Sequence, residues 1–389
     1  MKPKILLLYA DATQSLPIAR SLHNKGFSVD GVFASMWSYG YPSRFIGKRY
    51  MFANVEDPKS YYEYVAEILR HTKYDSVIPM NDDSAVMVSR FSAELRALTS
   101  FVMPDYAIFQ RGYDKHQLMQ LCQDKGYPHP QTTIVDGAHI DSVDFSSLHF
   151  PLLIKPNYTS GGRGMTLVNS KDELLGAFAS IQNQYGDCHL QEFIPAGGSQ
   201  VKIQMYLDEN QKLIQSSVIR KIRWYPESGG SSCCNMSDEN EDIVKTCHSI
   251  LKDIGWQGFA DFDTIEDPRT GELLIMELNP RVPACIKTPF VAGIDWADVI
   301  VSEYMGSSHN EYKEQKKAYL RHLGFEILWF FYSKSRFRTT PNWFHFLGRN
   351  IYYQDMSCLT DPLPFIFGTL GNIKKQMSPK FRKSKSGTR

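Results

Sequence analysis

Asp261 and Asp263 stand two residues apart in Gly258-Phe259-Ala260-Asp261-Phe262-Asp263, and Glu277 and Asn279 do the same in Leu273-Leu274-Ile275-Met276-Glu277-Leu278-Asn279-Pro280-Arg281. Asp267-Pro268-Arg269-Thr270-Gly271 between the runs predicts a turn, so they form a hairpin, and the two-residue period of a strand puts each polar pair on one face. Carboxylates and an amide oxygen on neighbouring strands are hard oxygen donors, suited to magnesium bridging nucleotide phosphates. Solvent exposure also produces a polar hairpin face, but these strands are otherwise strongly apolar, and acids buried without a cation are costly. A metal on this polar face is therefore preferred, with Arg281 near the same phosphates.

Pro151-Leu152-Leu153-Ile154-Lys155-Pro156 predicts a strand that delivers a lysine to the loop Asn157-Tyr158-Thr159-Ser160-Gly161-Gly162-Arg163-Gly164-Met165, after which Thr166-Leu167-Val168 resumes as strand. Small residues let backbone N–H groups approach phosphate oxygens, and Lys155 adds a point charge beside them. Taken alone, such a hairpin is equally well a tight turn. Further on, His189-Leu190-Gln191-Glu192-Phe193-Ile194-Pro195-Ala196-Gly197-Gly198 reads as a strand stopping at a turn. Gln191 or Glu192 would there reach the exocyclic amine of an adenine; the plain alternative is a strand ending at a Pro-Gly turn.

The elements that must position these residues begin with an α/β alternation. Ile5 to Tyr9 predicts a strand, Ser15 to Lys25 a helix ended by Gly26, Phe27 to Phe33 a strand, Ser60 to Arg70 a helix, and Ser76 to Met80 a short buried strand followed by Asn81, Asp82 and Asp83. Such a pattern implies a parallel sheet with ligands beyond the strand C-termini. The first loop lacks Gly-x-Gly-x-x-Gly, so a dinucleotide there is not supported. A helix from Asp114 to about Lys125 ends at Gly126, and Pro128 and Pro130 mark a lobe boundary.

At 389 residues, with 42% hydrophobic and 22% charged residues, the chain can bury two or three lobes, and disordered, collagenous and disulfide-rich classes are excluded. Seven cysteines without a CxxC pair point to the cytoplasm, and Ile5 to Ala10 is too short for a signal peptide or membrane span. Ser307 to Lys317 reads as a linker or exposed helix. The aromatic-rich remainder, broken by Lys334, Arg336, Arg338 and Arg349, is expected to pack back on the body. The tail from Lys374 to Arg389 holds seven Lys or Arg and no acid; a solvated tail is the main reading, contact with an anionic membrane surface the lesser one, and no nucleic acid partner is expected.

The order of the segments is more specific than any one of them. A strand lysine, a glycine-rich loop, the Gln-Glu-Phe-Ile turn and the Glu-Leu-Asn-Pro-Arg hairpin together resemble the ATP-grasp superfamily over roughly residues 1 to 305, and within it the carboxylate-amine ligases near D-aspartate ligase and carbamoyl-phosphate-synthase-like proteins. The resemblance implies an α/β N-terminal pre-ATP-grasp lobe (1–112), an α+β ATP-grasp lid (113–188), an α+β large lobe with the metal site (189–306) and an aromatic-rich C-terminal extension with a basic tail (307–389). It implies ATP with magnesium, or manganese in its place, and places the metal ligands at Asp261, Glu277 and Asn279, with Asp263 competing for the first position. Lys115 and Lys155 would contact phosphates beside Gly161, Gly162 and Gly164; Gln191 or Glu192, with the Ile194 backbone, would face adenine. The glutamate that many members place after the hinge to hold the ribose is missing, and Gln200 is its substitute. Arg281, Lys155 and Arg220 are the expected catalytic cations, Arg220 and Arg223 bordering the acceptor site. The implied reaction converts a small-molecule carboxylate to an acyl phosphate and couples it to an amine without a protein nucleophile. Carbamoyl-phosphate-synthase-like or carboxylate kinase chemistry, and a non-catalytic ATP-binding module, are the alternatives.

Overall fold

The computed structural model describes residues 2–135, 140, 143–159, 162–225, 231–307, 310–356 and 359–377. The first lobe is built on the apolar run β1 (Lys4–Leu8), flanked by β2 (Ser28–Phe33), β3 (Arg49–Met51) and β4 (Ser76–Pro79) in the all-parallel order β3-β2-β1-β4. Helices α1 (Ser15–Asn24) and α2 (Pro58–His71) connect the strands, and Asp57 caps α2 by accepting from the Lys59 and Ser60 N–H groups. Directly after β4, Asn81 caps α3 (Asp82–Arg90) in a reciprocal capping box with Ser84. That cap holds Asp82 and Asp83 at the C-terminal edge of the sheet.

After α4 (Ser92–Arg96) come two helices where sequence reading expected one. Asp114 closes α5 (Tyr106–Tyr113) and caps α6 (Lys115–Lys125), accepting from the His116 N–H at 2.9 Å. Gly126, at φ 72°, ends α6 as expected.

The second sheet comprises β5 (Thr132–Thr133), β6 (Leu152–Pro156), β7 (Thr166–Val168) and β8 (Cys188–Glu192) in the antiparallel order β5-β8-β6-β7. Helix α7 (Lys171–Tyr185) covers it, burying Leu174 and Phe178 against Ile154, Val168 and Leu190. Since Leu190 pairs with Ile154, this sheet runs on to Glu192, past the expected division at 188.

The third sheet has seven strands: β9 (Gln200–Leu207), β10 (Leu213–Tyr225), β11 (Ser231–Asp238), β12 (Gly258–Glu266), β13 (Leu273–Asn279), β14 (Tyr319–Arg321) and β15 (Ile351–Tyr353), ordered β13-β12-β9-β10-β11-β14-β15. Val201, Ile203 and Met205 alternate along β9 into a core shared with Ile243, Cys247, Ile250 and Ile254 of α8 (Glu241–Ile254). Helices α9 (Lys287–Ala292) and α10 (Trp296–Tyr304) follow.

The segment beyond residue 306 was expected as an extension, yet β14 and β15 continue this sheet. The join is buried and ionic. Glu326 of α11 (Leu323–Tyr332) accepts from Arg223 of β10 at 2.8 Å and from Arg321 of β14 at 2.5 Å. Trp329 is buried beneath Arg223, whose guanidinium lies 5.3 Å from the ring centre. Packing back is only partial, because Phe331, Tyr332, Phe337 and Phe344 stay exposed. The last helix, α12 (Leu363–Met377), lies on the first lobe.

Candidate active site

Strands β12 and β13 pair Asp261 with Asn279 and Asp263 with Glu277, so these four side chains share one face while Ala260, Phe262 and Leu278 enter the core. A lysine that sequence reading passed over sets the state of this cluster. Lys202 of β9 lies opposite Asp263, its ammonium 2.9 Å from Asp261 and 2.8 Å from Asp263. Behind Asp261 runs a buried polar chain: Gln204 donates to Asp261 at 2.8 Å, Ser217 to Gln204 at 2.8 Å, and Trp296 to Ser217 at 3.2 Å.

Burial by itself would discharge Lys202, but Asp261 and Asp263 reverse this, raise its pKa and keep it an ammonium. Burial pushes Asp263 up, and Lys202 with Lys221 overcomes it, holding that carboxyl well below the usual range. At the deeper Asp261 burial prevails over Lys202, and its pKa is raised.

The two lysines expected to face phosphate come from the second sheet and α6. Lys155 on β6 is buried, and its ammonium donates to the Gln191 side-chain oxygen at 2.8 Å; Gln191 in turn donates to Thr132 at 3.2 Å. Burial lowers the Lys155 pKa to about 8, Glu277 opposing and Lys115 assisting. Among the described residues no carboxylate forms an ion pair with it. Opposite it, buried His189 places Nδ1 2.9 Å from Asn157, and its Nε2 has no partner among the described residues; burial and then Lys155 keep the ring uncharged. Lys115, at the start of α6, donates to the Thr159 carbonyl at 2.5 Å and lies 3.4 Å from Glu277, which joins the two groups of residues.

Arg281 closes the remaining side. It donates to the Asn279 side-chain oxygen at 3.2 Å, and its Nε lies 3.0 Å from Asp82 of the first lobe. Sequence reading noted Asp82 only as the end of a strand. The separation of 199 positions in the chain hid the pairing.

Other expected residues need correction. Arg220 lies opposite Val201, whereas Lys202 lies opposite Ile219, so Arg220 points to the reverse face, held by Asp238 at 2.6 Å and Ser199 at 2.8 Å. Its neighbour Lys221 is on the face with Lys202 and donates to Gln200 at 2.9 Å. Arg223 is committed to Glu326. Glu192 is engaged by Arg269 at 2.5 Å, and Gln191 is buried under Lys155, so neither hinge side chain is free for an adenine in this arrangement. Ile194 is buried just past β8. Gly162 and Gly164 have φ of 73° and 74°, and a Cβ on Gly164 would meet Tyr185 and Pro156 at 2.7 and 2.8 Å, so the turn itself requires that glycine. Gly161 lies outside the described residues.

A buried cation that among the described residues bonds only to a neutral amide, beside Lys115 and a His189 nitrogen without a partner among them, fits an anionic ligand such as nucleotide phosphate. Among the described residues no three acid, histidine or cysteine side chains form a ready-made metal site, because lysines interleave with the acids. The donor set still suits magnesium, which takes one or two carboxylates and completes its shell with water and substrate phosphates. A cleft of about 500 Å³ lined by Leu16, Pro17, Phe290 and Val291 contains none of these residues.

Residues 114–299 match the family described as carbamoyl-phosphate synthase L chain, ATP binding domain. The match covers a little under half of the chain, and the ordered motifs of the same segment are similar to those of ATP-grasp domains. The chain is 27% identical over 226 residues to D-aspartate ligase of Enterococcus faecium (strain Aus0004), covering 53% of this chain and 52% of that one. It is 25% identical over 182 residues to the carbamoyl phosphate synthase arginine-specific large chain of Bacillus subtilis (strain 168), covering 44% of this chain and 18% of that one. It thus spans about half the length of the first relative and under a fifth of the second. The biotin carboxylase from Campylobacter jejuni in complex with β-γ-ATP shares the fold, with a TM-score of 0.68 at 16% identity over 81% of this chain and 74% of that one.

Proposed function

We propose that the protein is a ligase that uses ATP to activate a small-molecule carboxylate as an acyl phosphate and couples it to an amine, releasing ADP and phosphate. The observation that carries this reading is Lys155: a buried ammonium that, among the described residues, has an amide for its only hydrogen-bond partner, near Glu277 of a strand pair rich in carboxylates. In this reading Lys155 and Lys115 hold phosphate oxygens, and adenine lies against the end of β8 near Ile194. Glu277, Asn279 and Asp263 would hold magnesium, with Asp261 behind them. When bound, the ion offsets charge on the phosphates.

A substrate carboxylate oxygen attacks the γ-phosphorus, the bond from that phosphorus to the β,γ-bridging oxygen breaks, and ADP leaves with the electron pair. Arg281 and Lys221 stand on the same side as the carboxylate cluster, where they counter the charge of the acyl phosphate. The amine lone pair then attacks the acyl carbon, phosphate departs with the C–O bonding electrons, and the surplus proton leaves the nitrogen for water. Positioning and electrostatics suffice, without a covalent enzyme intermediate.

The deciding experiment incubates candidate acids with ATP and magnesium, intercepting activated acid as a hydroxamate with hydroxylamine. ADP, phosphate and coupled product are expected in equal amounts once the amine is added. Acyl phosphate without amine-dependent coupling would identify a carboxylate kinase, ATP binding without acid-dependent ADP a non-catalytic module, and AMP with pyrophosphate would overturn the γ-phosphate chemistry.

A further inference from the structure

Along α12, Leu363, Ile366, Leu370, Ile373 and Met377 recur at intervals of three and four, one face of a 3.6-residue helix, and each is between 47% and 67% exposed. The opposite face is seated with little latitude. A Cβ on Gly371 would fall 2.0 Å from the Trp37 carbonyl oxygen and one on Gly368 2.2 Å from the Tyr39 ring, so both glycines permit direct contact of helix and loop. Phe367 stacks on Trp37 with ring centres 5.3 Å apart, and Asn372 donates to the Tyr39 hydroxyl at 3.0 Å. Built contacts therefore aim the apolar face outward.

The stretch of sequence that carries this face is cationic. Residues 327–389 contain eleven Lys or Arg and two acids, Asp355 and Asp361, and both acids are buried. Asp355 accepts from Tyr39 and from the Leu323 N–H, and Asp361 from Ser43 and the Arg44 N–H, so both carboxylates are engaged within the fold. Residues 1–326 carry 32 Lys or Arg against 40 acids, the opposite sign. Among the described residues no helix is long and apolar enough to cross a membrane. An aliphatic face about 20 Å long on a helix that ends in Lys374 and Lys375, within a cation-rich stretch of sequence, matches a helix lying in the plane of an anionic bilayer, its Leu, Ile and Met side chains in the acyl boundary and its lysines at the headgroups.

We propose that α12, with its apolar face and its Lys374 and Lys375, docks the protein on an anionic lipid surface. A second copy is disfavoured as occupant because a symmetric contact through this face would bring two cation-rich regions together. Nucleic acid is disfavoured because aliphatic side chains, not flat rings, make up the exposed stripe of the helix.

The test uses the full chain and sedimentation with phosphatidylcholine vesicles, with and without phosphatidylglycerol. Binding to the anionic vesicles is expected, weakened by salt, and at least about tenfold weaker on neutral vesicles. Ile366→Asn with Leu370→Asn and Ile373→Asn should lower binding by at least about tenfold while ATP binding by calorimetry is unchanged. Lys374→Gln with Lys375→Gln is the independent variant and should reduce the salt dependence. Absence of anionic-vesicle binding, or equal binding by the triple variant and wild type, would overturn the proposal. So would a halving of molecular mass in the triple variant by sedimentation velocity, which assigns the face to self-association, or tighter binding of single-stranded RNA than of vesicles.

Discussion

The Lys155 ammonium lies 2.8 Å from the Gln191 side-chain oxygen and, among the described residues, has no acid to pair with. A buried cation so placed favours an anion over a neutral ligand. Lys155→Met should weaken ATP binding by about ten- to a hundredfold, the scale of one lost charge-assisted hydrogen bond, and leave adenosine binding nearly unchanged. Calorimetry with both ligands decides it, and equal losses would make the lysine structural.

The same lysine predicts a pH dependence. Phosphate binds the protonated form, and burial has lowered the pKa to about 8. Below that value the group is already charged and contributes no pH dependence; above it a proton must be taken up, so ATP affinity should fall as pH rises. The decline should disappear in Lys155→Met.

Lys202 neutralises two acids at once. Lys202→Met should destabilise the fold by about 3–5 kcal/mol near neutral pH, because Asp261 and Asp263 lose their common cation. Asp263 has a lowered pKa in the folded state, so the stability it supplies is present above the ordinary carboxylate range and is lost as pH falls. The gap between variant and wild type should therefore close in acid. Denaturant unfolding across pH measures it, and a gap independent of pH would contradict the assignment.

Arg220 and Lys221 are adjacent but face opposite sides of β10. Arg220→Ala should retain kcat/KM within about threefold, whereas Lys221→Ala should lose at least about tenfold, consistent with a missing cation beside developing charge. The reverse result would place the acceptor site on the other face of the sheet.

Glu326 accepts from two buried guanidiniums, so Glu326→Gln leaves Arg223 and Arg321 without their anion. A loss of about 3–5 kcal/mol is expected in denaturant unfolding. A change within about 0.5 kcal/mol, as for an ordinary surface substitution, would show that the segment after residue 306 is not joined to the sheet through this triad.

Local chemistry was legible in the chain because it follows short-range rules. Period-two alternation brought Asp261, Asp263, Glu277 and Asn279 onto one face, the turn at Asp267–Gly271 made the hairpin, and an apolar strand carried Lys155 inward. The tertiary structure alone decided which distant groups answer them. Lys202, Asp82 and Glu326 carry no signal in their own neighbourhoods, since ion pairing depends on distances set by sheet order rather than by sequence spacing. Arg220 was misplaced for a related reason: a strand's period says which residues share a face, but only register against β9 says which face meets the site. The outward stripe of α12 was likewise undecided by its pattern, because an amphipathic helix fits a core as well as a surface until Trp37 and Tyr39 occupy its other side.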